Sequence, residues 1–273
     1  MEHRPMAVAG IEVAVVCEGY APLPLDDEFP STPVDWDAER ARYRWMFHDE
    51  RSWAWHVHAF ALRTPSGVVM VDACVSPFPP YAPWATHTAI EDALADADVE
   101  VDEVRLVVLT HLHADHSGGA VVDGRPRFPN ARHVVHPADW DHFAGVEDGK
   151  SYAARRAMEP LEERGMLDLD PDDREVWPGI HVVHAPGHTP GHRSVVVEGV
   201  SDTLLFTGDL LHTPPQVARP EAPSSHDDDP ALASRSRARL MGRARDHGWW
   251  VAVSHFARPF GRVGVDGWVE RVD

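Results

Sequence analysis

The chain has 273 residues, 43% of them hydrophobic, enough for a substantial core in one large domain or two small ones. Lys and Arg number 25 against 44 Asp and Glu, a formal net charge of −19 with histidine neutral, so a polyanion meets a repulsive field and nucleic acid is not expected as a partner. Two cysteines, Cys17 and Cys74, cannot build a disulfide framework, and neither a membrane-length apolar run nor a basic start leading into an apolar stretch is seen, so a cytoplasmic address without membrane contact is expected.

Ile11–Val16 reads as a strand, and His56–Leu62 with Val68–Val71 flanks the turn signal Thr64-Pro-Ser-Gly67 as a hairpin. Between them, Tyr20–Trp55 is rich in proline, acidic residues and aromatics, with a helix near Asp37–Phe47. Its aromatics, Trp36 and Trp45 among them, either pack on the core or form a wall of an apolar substrate pocket. A helix is expected over Thr88–Ala97, where Thr88 and Glu91 fit a capping box, followed by a buried strand at Arg105–Leu109. Further strands are expected at His133–Val135, Ile180–His184, Ser194–Val197, Thr203–Phe206 and Trp250–Val253, with helices near Tyr152–Arg164 and Pro230–His247. No repeat or low-complexity linker interrupts this order, which favours one domain with two sheets packed face to face in an α/β layered fold.

Directly behind the apolar run Arg105–Leu109 stands Thr110-His-Leu-His-Ala-Asp-His-Ser-Gly-Gly119, three histidines and an aspartate within six positions. A loop after a buried strand can aim several side chains at one point, and His-x-His on an extended backbone sets two imidazoles on one side. Imidazole with carboxylate suits zinc, iron or manganese rather than calcium. Two metals need more ligands, and other strand ends offer them: His188 in Pro186-Gly-His-Thr-Pro-Gly-His192, Asp209 in Thr207-Gly-Asp209, and His255 in Ser254-His-Phe256. A second His-x-His, His56 and His58, has no carboxylate near it in sequence and is read as packed or solvent-exposed. His192 is read as a support for the His188 loop and Cys74 as a buried, inert thiol.

The run HLHADH, PGHTPGH, TGD and SHF, in that order, with Val71-Asp-Ala-Cys74 closing an early strand, resembles the metallo-β-lactamase superfamily. The resemblance spans Asp72 to His255. It implies an α/β, four-layer αββα sandwich: a single domain over 1–273 with an N-terminal aromatic and proline-rich insertion at about 20–55. By position it implies His111, His113 and His188 on one metal, Asp115, His116 and His255 on a second, and Asp209 between them. The cofactors implied are two divalent ions, zinc ahead of iron or manganese, with a bridging hydroxide as nucleophile. Asp72 is read as an anchor of the ligand loop.

Branches of the superfamily differ at single positions. The diiron oxygen reductases carry a glutamate where His113 stands, the zinc β-lactamases lack the bridging aspartate, and glyoxalase-type thioesterases add a basic patch and a helical C-terminal domain. The pattern is most similar to the lactonases and the related aryl-ester and organophosphate hydrolases. It departs from many acyl-homoserine lactonases at His212, where they have a tyrosine. The activity expected is hydrolysis of carboxylic esters or lactones, extending to aryl phosphotriesters, with an acyl thioesterase or a metal-dependent cyclase as alternatives. Asp115 or Asp209 would pass the proton to the leaving alkoxide, and His212 would either donate to the substrate or stand packed behind the ligands. The partner expected is a small molecule with an apolar acyl or aryl group, and a homodimer is left open.

Overall fold

Alternation along the central strands sorts their residues onto two faces. In a computed structural model, which describes residues 3–28, 34–75, 84–144 and 158–271, these strands build two large sheets. The first runs Met6–Val8, Ile11–Pro24, Ser52–Thr64, Gly67–Val71, Val104–Val108, Arg132–Val135 and Leu167–Leu169, with Thr86–His87 paired to the side of Ile11–Pro24. The second runs Arg174–Trp177, Ile180–His184, Arg193–Glu198, Thr203–Phe206, Trp250–Ala252, Phe260–Gly264 and Gly267–Glu270.

Phe60, Leu62, Val69, Val71, Leu106 and Val108 of the first sheet share one apolar cluster with Val195, Val197, Leu204 and Phe206 of the second, the filling of the sandwich. The residues between them in sequence, such as Ala61, Met70, Val107, Val196 and Leu205, face outward. There they meet Ile90, Ala93 and Leu94 of the helix Ile90–Asp96 and Leu240, Met241 and Ala244 of the helix Pro230–His247. This is the expected αββα arrangement. The long helix has clear stop signals: Asp229 caps its first turn by accepting from the Leu232 N–H at 2.9 Å, and Gly248 closes it at φ 63°.

Several expectations are adjusted. The capping box does not form: Ala89 is the cap residue, and Glu91 turns away to pair with Arg127. The helix expected over Asp37–Phe47 stops at Trp36–Arg42 and gives way to a tighter turn over Arg44–Met46. Tyr43 leaves helical geometry there, and both Tyr43 and Met46 enter the core. Both ends of the 20–55 segment are sheet, since Ile11–Pro24 pairs with Ser52–Thr64 from Glu12–Arg63 to Pro24–Ser52 with a bulge between Cys17 and Gly19. Helix also covers 158–163, while the earlier part of the helix expected at Tyr152–Arg164 lies outside the described residues. The hairpin Phe260–Gly264 and Gly267–Glu270 was not anticipated; its strands are short and glycine-bearing, which hides the alternation.

His133, wholly buried in the first sheet, gives the fold an acid-sensitive element. Burial disfavours the imidazolium, which the neighbouring Met166 and Ala131 backbone only partly offsets, and its pKa falls from 6.5 to about 4. Between those values the unfolded chain binds the proton and the folded chain does not. The neutral ring's contribution is therefore complete above pH 6.5 and declines as the pH falls toward 4, by up to about 3 kcal/mol. Urea titrations at a series of pH values should show His133→Leu with a shallower loss of stability across that window. Identical pH slopes for the two proteins would remove His133 from the account.

Candidate metal centre

Gly67–Val71 and Val104–Val108 run parallel, as do Thr203–Phe206 and Trp250–Ala252, so their carboxyl ends open on one edge of the sandwich. The turns leaving these ends carry Asp72, the 110–116 loop, Asp209 and His255; the loop after Ile180–His184 brings His188 to the same place. His111 and His113 lie not on an extended strand but on a loop, with His113 just ahead of the short helix Ala114–Ser117. Their convergence therefore comes from the loop's path rather than from strand alternation.

The structure gathers the seven residues into two groups. Ligand atoms of His111, His113, His188 and Asp209 lie within 4.8 Å of one another, and so do those of Asp115, His116, Asp209 and His255. Asp209 belongs to both. Its Oδ1 is 3.0 Å from His116 Nε2 and 3.0 Å from His255 Nε2, whereas its Oδ2 is 3.3 Å from His188 Nε2 and 3.7 Å from His111 Nε2. One oxygen thus faces each group.

The outer nitrogens of four imidazoles are fixed by acceptors, which settles the tautomer of each ring. His116 Nδ1 donates to Asp72 Oδ2 at 2.8 Å, His255 Nδ1 to the His56 carbonyl at 2.7 Å, and His111 Nδ1 to Thr110 Oγ1 at 3.1 Å. His188 Nδ1 faces Asp227 Oδ1 at 3.4 Å. Each Nε2 therefore points inward as a bare lone pair. His116 Nε2, His255 Nε2 and Asp209 Oδ1 have no hydrogen-bond partner, and His111 and His188 Nε2 both stand 2.9 Å from the single atom His113 Nδ1. Buried lone pairs aimed at one another are costly unless something positive lies between them. The donor set and its orphaned atoms fit two divalent cations.

Electrostatics agree. Burial holds His111 and His188 far below the usual imidazole range and brings His113 to about 4, so all three are neutral. Burial opposes charge on His116 too, but Asp209, Asp115 and Asp72 overcome it and favour a positive charge at that position. Despite its own burial, Asp209 is kept far below the carboxylate range by His116, His255, His111 and His212. Its resting form is the carboxylate.

Asp72 behaves as the anchor expected, its Oδ1 accepting from the Thr110 N–H at 2.8 Å while Oδ2 holds His116. His192 does more than support the His188 loop: its Nδ1 donates to the Ala185 carbonyl and its Nε2 accepts the Asp209 N–H, both at 3.0 Å. Cys74 is buried, and burial raises its pKa well above the free thiol. Three carboxylates escaped sequence reading. Asp139 accepts from the Leu112 and Gly191 N–H groups and the Thr189 hydroxyl, tying the 110–116 loop to the His188 loop. Asp227 joins His188 to the buried Arg237. Glu28, buried in the N-terminal segment, accepts from Ser224 Oγ at 2.7 Å and stands 3.7 Å from His212 Nδ1. Each is an ordinary acidic residue in sequence, and only its fully buried position marks it.

His212 sits 3.2 Å from Asp209 Oδ2 through Nε2, with its ring stacked 5.6 Å from that of His255. Burial works against its charge, but Glu28 and Asp209 raise its pKa to about 9. The aromatic segment reaches the centre at Trp55, whose ring lies 5.3 Å from that of His255 and is backed by Trp84. Trp36 and Trp45 instead pack against the core, Trp45 on Phe256.

The turn that aims Asp209 depends on Gly208. Its φ is 53°, and a Cβ there would lie 2.7 Å from His192 Nε2 and 2.9 Å from Thr110 Cβ. Gly208→Ala should lose about 2 kcal/mol from the left-handed backbone alone and bind less metal, as urea titration and elemental analysis would read. Full metal content at unchanged stability would show that the turn does not aim Asp209.

The sequence from 53 to 255 matches the model of the metallo-beta-lactamase superfamily. The chain belongs to the metallo-β-lactamase superfamily. Among curated superfamily relatives, an N-acyl homoserine lactonase from a Bacillus species is 29% identical over 153 residues, 54% of this chain and 55% of that one. The N-acyl homoserine lactonase AttM of Azorhizobium caulinodans is 34% identical over 122 residues, 42% and 44% of the two chains. The match thus spans about half the length of these relatives. Two solved structures share the superfamily fold over nearly their whole length. The hydrolase AbOPH has a TM-score of 0.86 at 20% identity, covering 98% of this chain and 97% of that one. AidC, described as a dizinc quorum-quenching lactonase, has 0.85 at 17%, covering 99% and 97%.

Proposed function

We propose that the protein is a dinuclear metal-dependent hydrolase of carboxylic esters or lactones, with zinc as the first candidate metal. The observation that carries this reading is Asp209, whose two oxygens each face one of two converged, orphaned donor groups. His111, His113 and His188 would hold one cation, Asp115, His116 and His255 the other, and Asp209 would lie between. Bound there, the cations would supply a water of near-neutral pKa and a Lewis acid for the carbonyl oxygen.

The chain's own residues then do the following. Asp115 or Asp209 takes the proton released as water attacks and returns it to the leaving alkoxide, while the acid formed ionises and gives its own proton to solvent. His212 holds Asp209 through Nε2, and Glu28 in turn faces His212 Nδ1. Trp55 beside His255 and Phe143, whose ring meets His113 edge-on at 5.5 Å, supply apolar surface that suits an acyl or aryl group. The curated relatives named as N-acyl homoserine lactonases favour a lactone over a thioester or phosphotriester. A panel of lactones, aryl esters, thioesters and phosphotriesters on metal-loaded protein should give the highest kcat/KM with a lactone or aryl ester, by about tenfold or more. Lactone turnover no faster than in chelated protein would sink the proposal.

A further inference from the structure

The second His-x-His is packed inside the fold, yet His56 Nδ1 and His58 Nδ1 have no hydrogen-bond partner there. His56 and His58 are both buried on the long strand Ser52–Thr64, and Cys17 stands directly opposite His58 on the neighbouring strand. At this point the bulge between Cys17 and Gly19 bends the partner strand. His3 closes the group from the N-terminal side, its ring meeting that of His58 at 5.0 Å.

Ligand atoms of His3, Cys17 and His58 lie within 4.8 Å of one another. His58, 1% exposed, donates its Nε2–H to the Phe256 carbonyl at 3.0 Å, which leaves Nδ1 a bare lone pair, and that atom has no hydrogen-bond partner. His3 Nε2 is likewise buried and without a partner. His56 adjoins the group, its ring 5.2 Å from that of His58. Packing alone would leave these nitrogens unsatisfied at a cost of about 1–3 kcal/mol each, and one thiol proton cannot serve them all.

We propose that His3, Cys17 and His58 form a further metal site, separate from the dinuclear centre, that takes a thiophilic d10 cation such as zinc. One thiolate and two imidazoles match the ligand preference of zinc and exclude magnesium and calcium, with His56 or water completing four-coordination. The thiol is prepared for this: burial raises its pKa, but the adjoining His3 and His56 imidazoles outweigh that and bring it down to about 6. Cys74, the other thiol, hydrogen-bonds the Val16 carbonyl and lies outside the group. The site also sits where it matters to the centre. The His56 carbonyl accepts from His255 Nδ1, and Phe256, next in sequence, receives the His58 bond. A cation here clamps the strand that orients His255.

The test is cobalt titration of the metal-stripped full chain. None of the seven donors at the dinuclear centre carries sulfur, so a near-ultraviolet sulfur-to-cobalt charge-transfer band reports this site alone, whatever the fate of the proposed hydrolase. Wild-type protein should develop the band and bind one more cobalt than Cys17→Ser, which should lack it, while Cys74→Ala should keep it. His3→Ala, a half-buried position outside the strands, should weaken the band-forming event by at least about tenfold and guards against a folding defect in Cys17→Ser. Cobalt binding without the band in the wild type, or an unchanged band in Cys17→Ser or His3→Ala, would overturn the proposal.

Discussion

Asp209→Asn is expected to lose about two to three orders of magnitude in kcat and to bind one cation less than the wild type. The size of the side chain is preserved, so the effect is one of charge and donor strength. Asp209 is the residue common to the two donor groups, and five histidines, His111, His116, His188, His212 and His255, direct a nitrogen at its oxygens within 3.7 Å. An amide presents one good oxygen and one N–H, so one of the two groups faces a donor where it needs an acceptor. Two cations would then repel with less compensation between them, and a major electrostatic element of roughly 3–4 kcal/mol would be lost at the barrier. Elemental analysis must accompany the kinetics. Two bound metals with near-normal kcat would show that Asp209 serves only the turn at Thr207–Asp209.

Chelation should abolish hydrolysis while leaving most of the fold in place. The turns bearing the donors are held by bonds that need no metal: Asp72 to Thr110, Asp139 to Leu112, Thr189 and Gly191, and His192 to Ala185 and Asp209. The two sheets are joined by an apolar filling distinct from the donor groups. Stripping should therefore lower Tm, because the inward lone pairs lose their cations, yet preserve the far-ultraviolet circular dichroism. Adding zinc back to about two equivalents at the dinuclear centre should restore turnover. Activity that survives chelation with no metal detectable would refute a metal-dependent mechanism, and global unfolding on stripping would show that the loops lack the independent support described above.

The most legible elements were those with a strict period and firm ends. Pro230–His247 was readable to the residue because Asp229 and Gly248 bracket it, and the central strands because both their faces are apolar. The helix after Trp36 was read too long, since nothing local reports that Tyr43 and Met46 are drawn into the core. The short hairpin at Phe260–Glu270 was missed for want of length.

The donor set was legible because a metal site needs particular atoms: few residue types can ligate, and seven of them recur at the ends of apolar runs in the chain. Sequence alone therefore determined the superfamily, the layer order and the candidate ligands. The tertiary structure decided which acidic residues stand behind them. Glu28 meets His212 across 184 positions of sequence and Asp139 meets Gly191 across 52, and no local pattern separates these carboxylates from solvated ones. It also decided the fate of the second His-x-His, because Cys17 and His3 reach it only through strand pairing and the return of the N-terminal segment. Periodicity reports which face of an element is buried; what waits on the other side of that face is set by the long-range pairing of the chain.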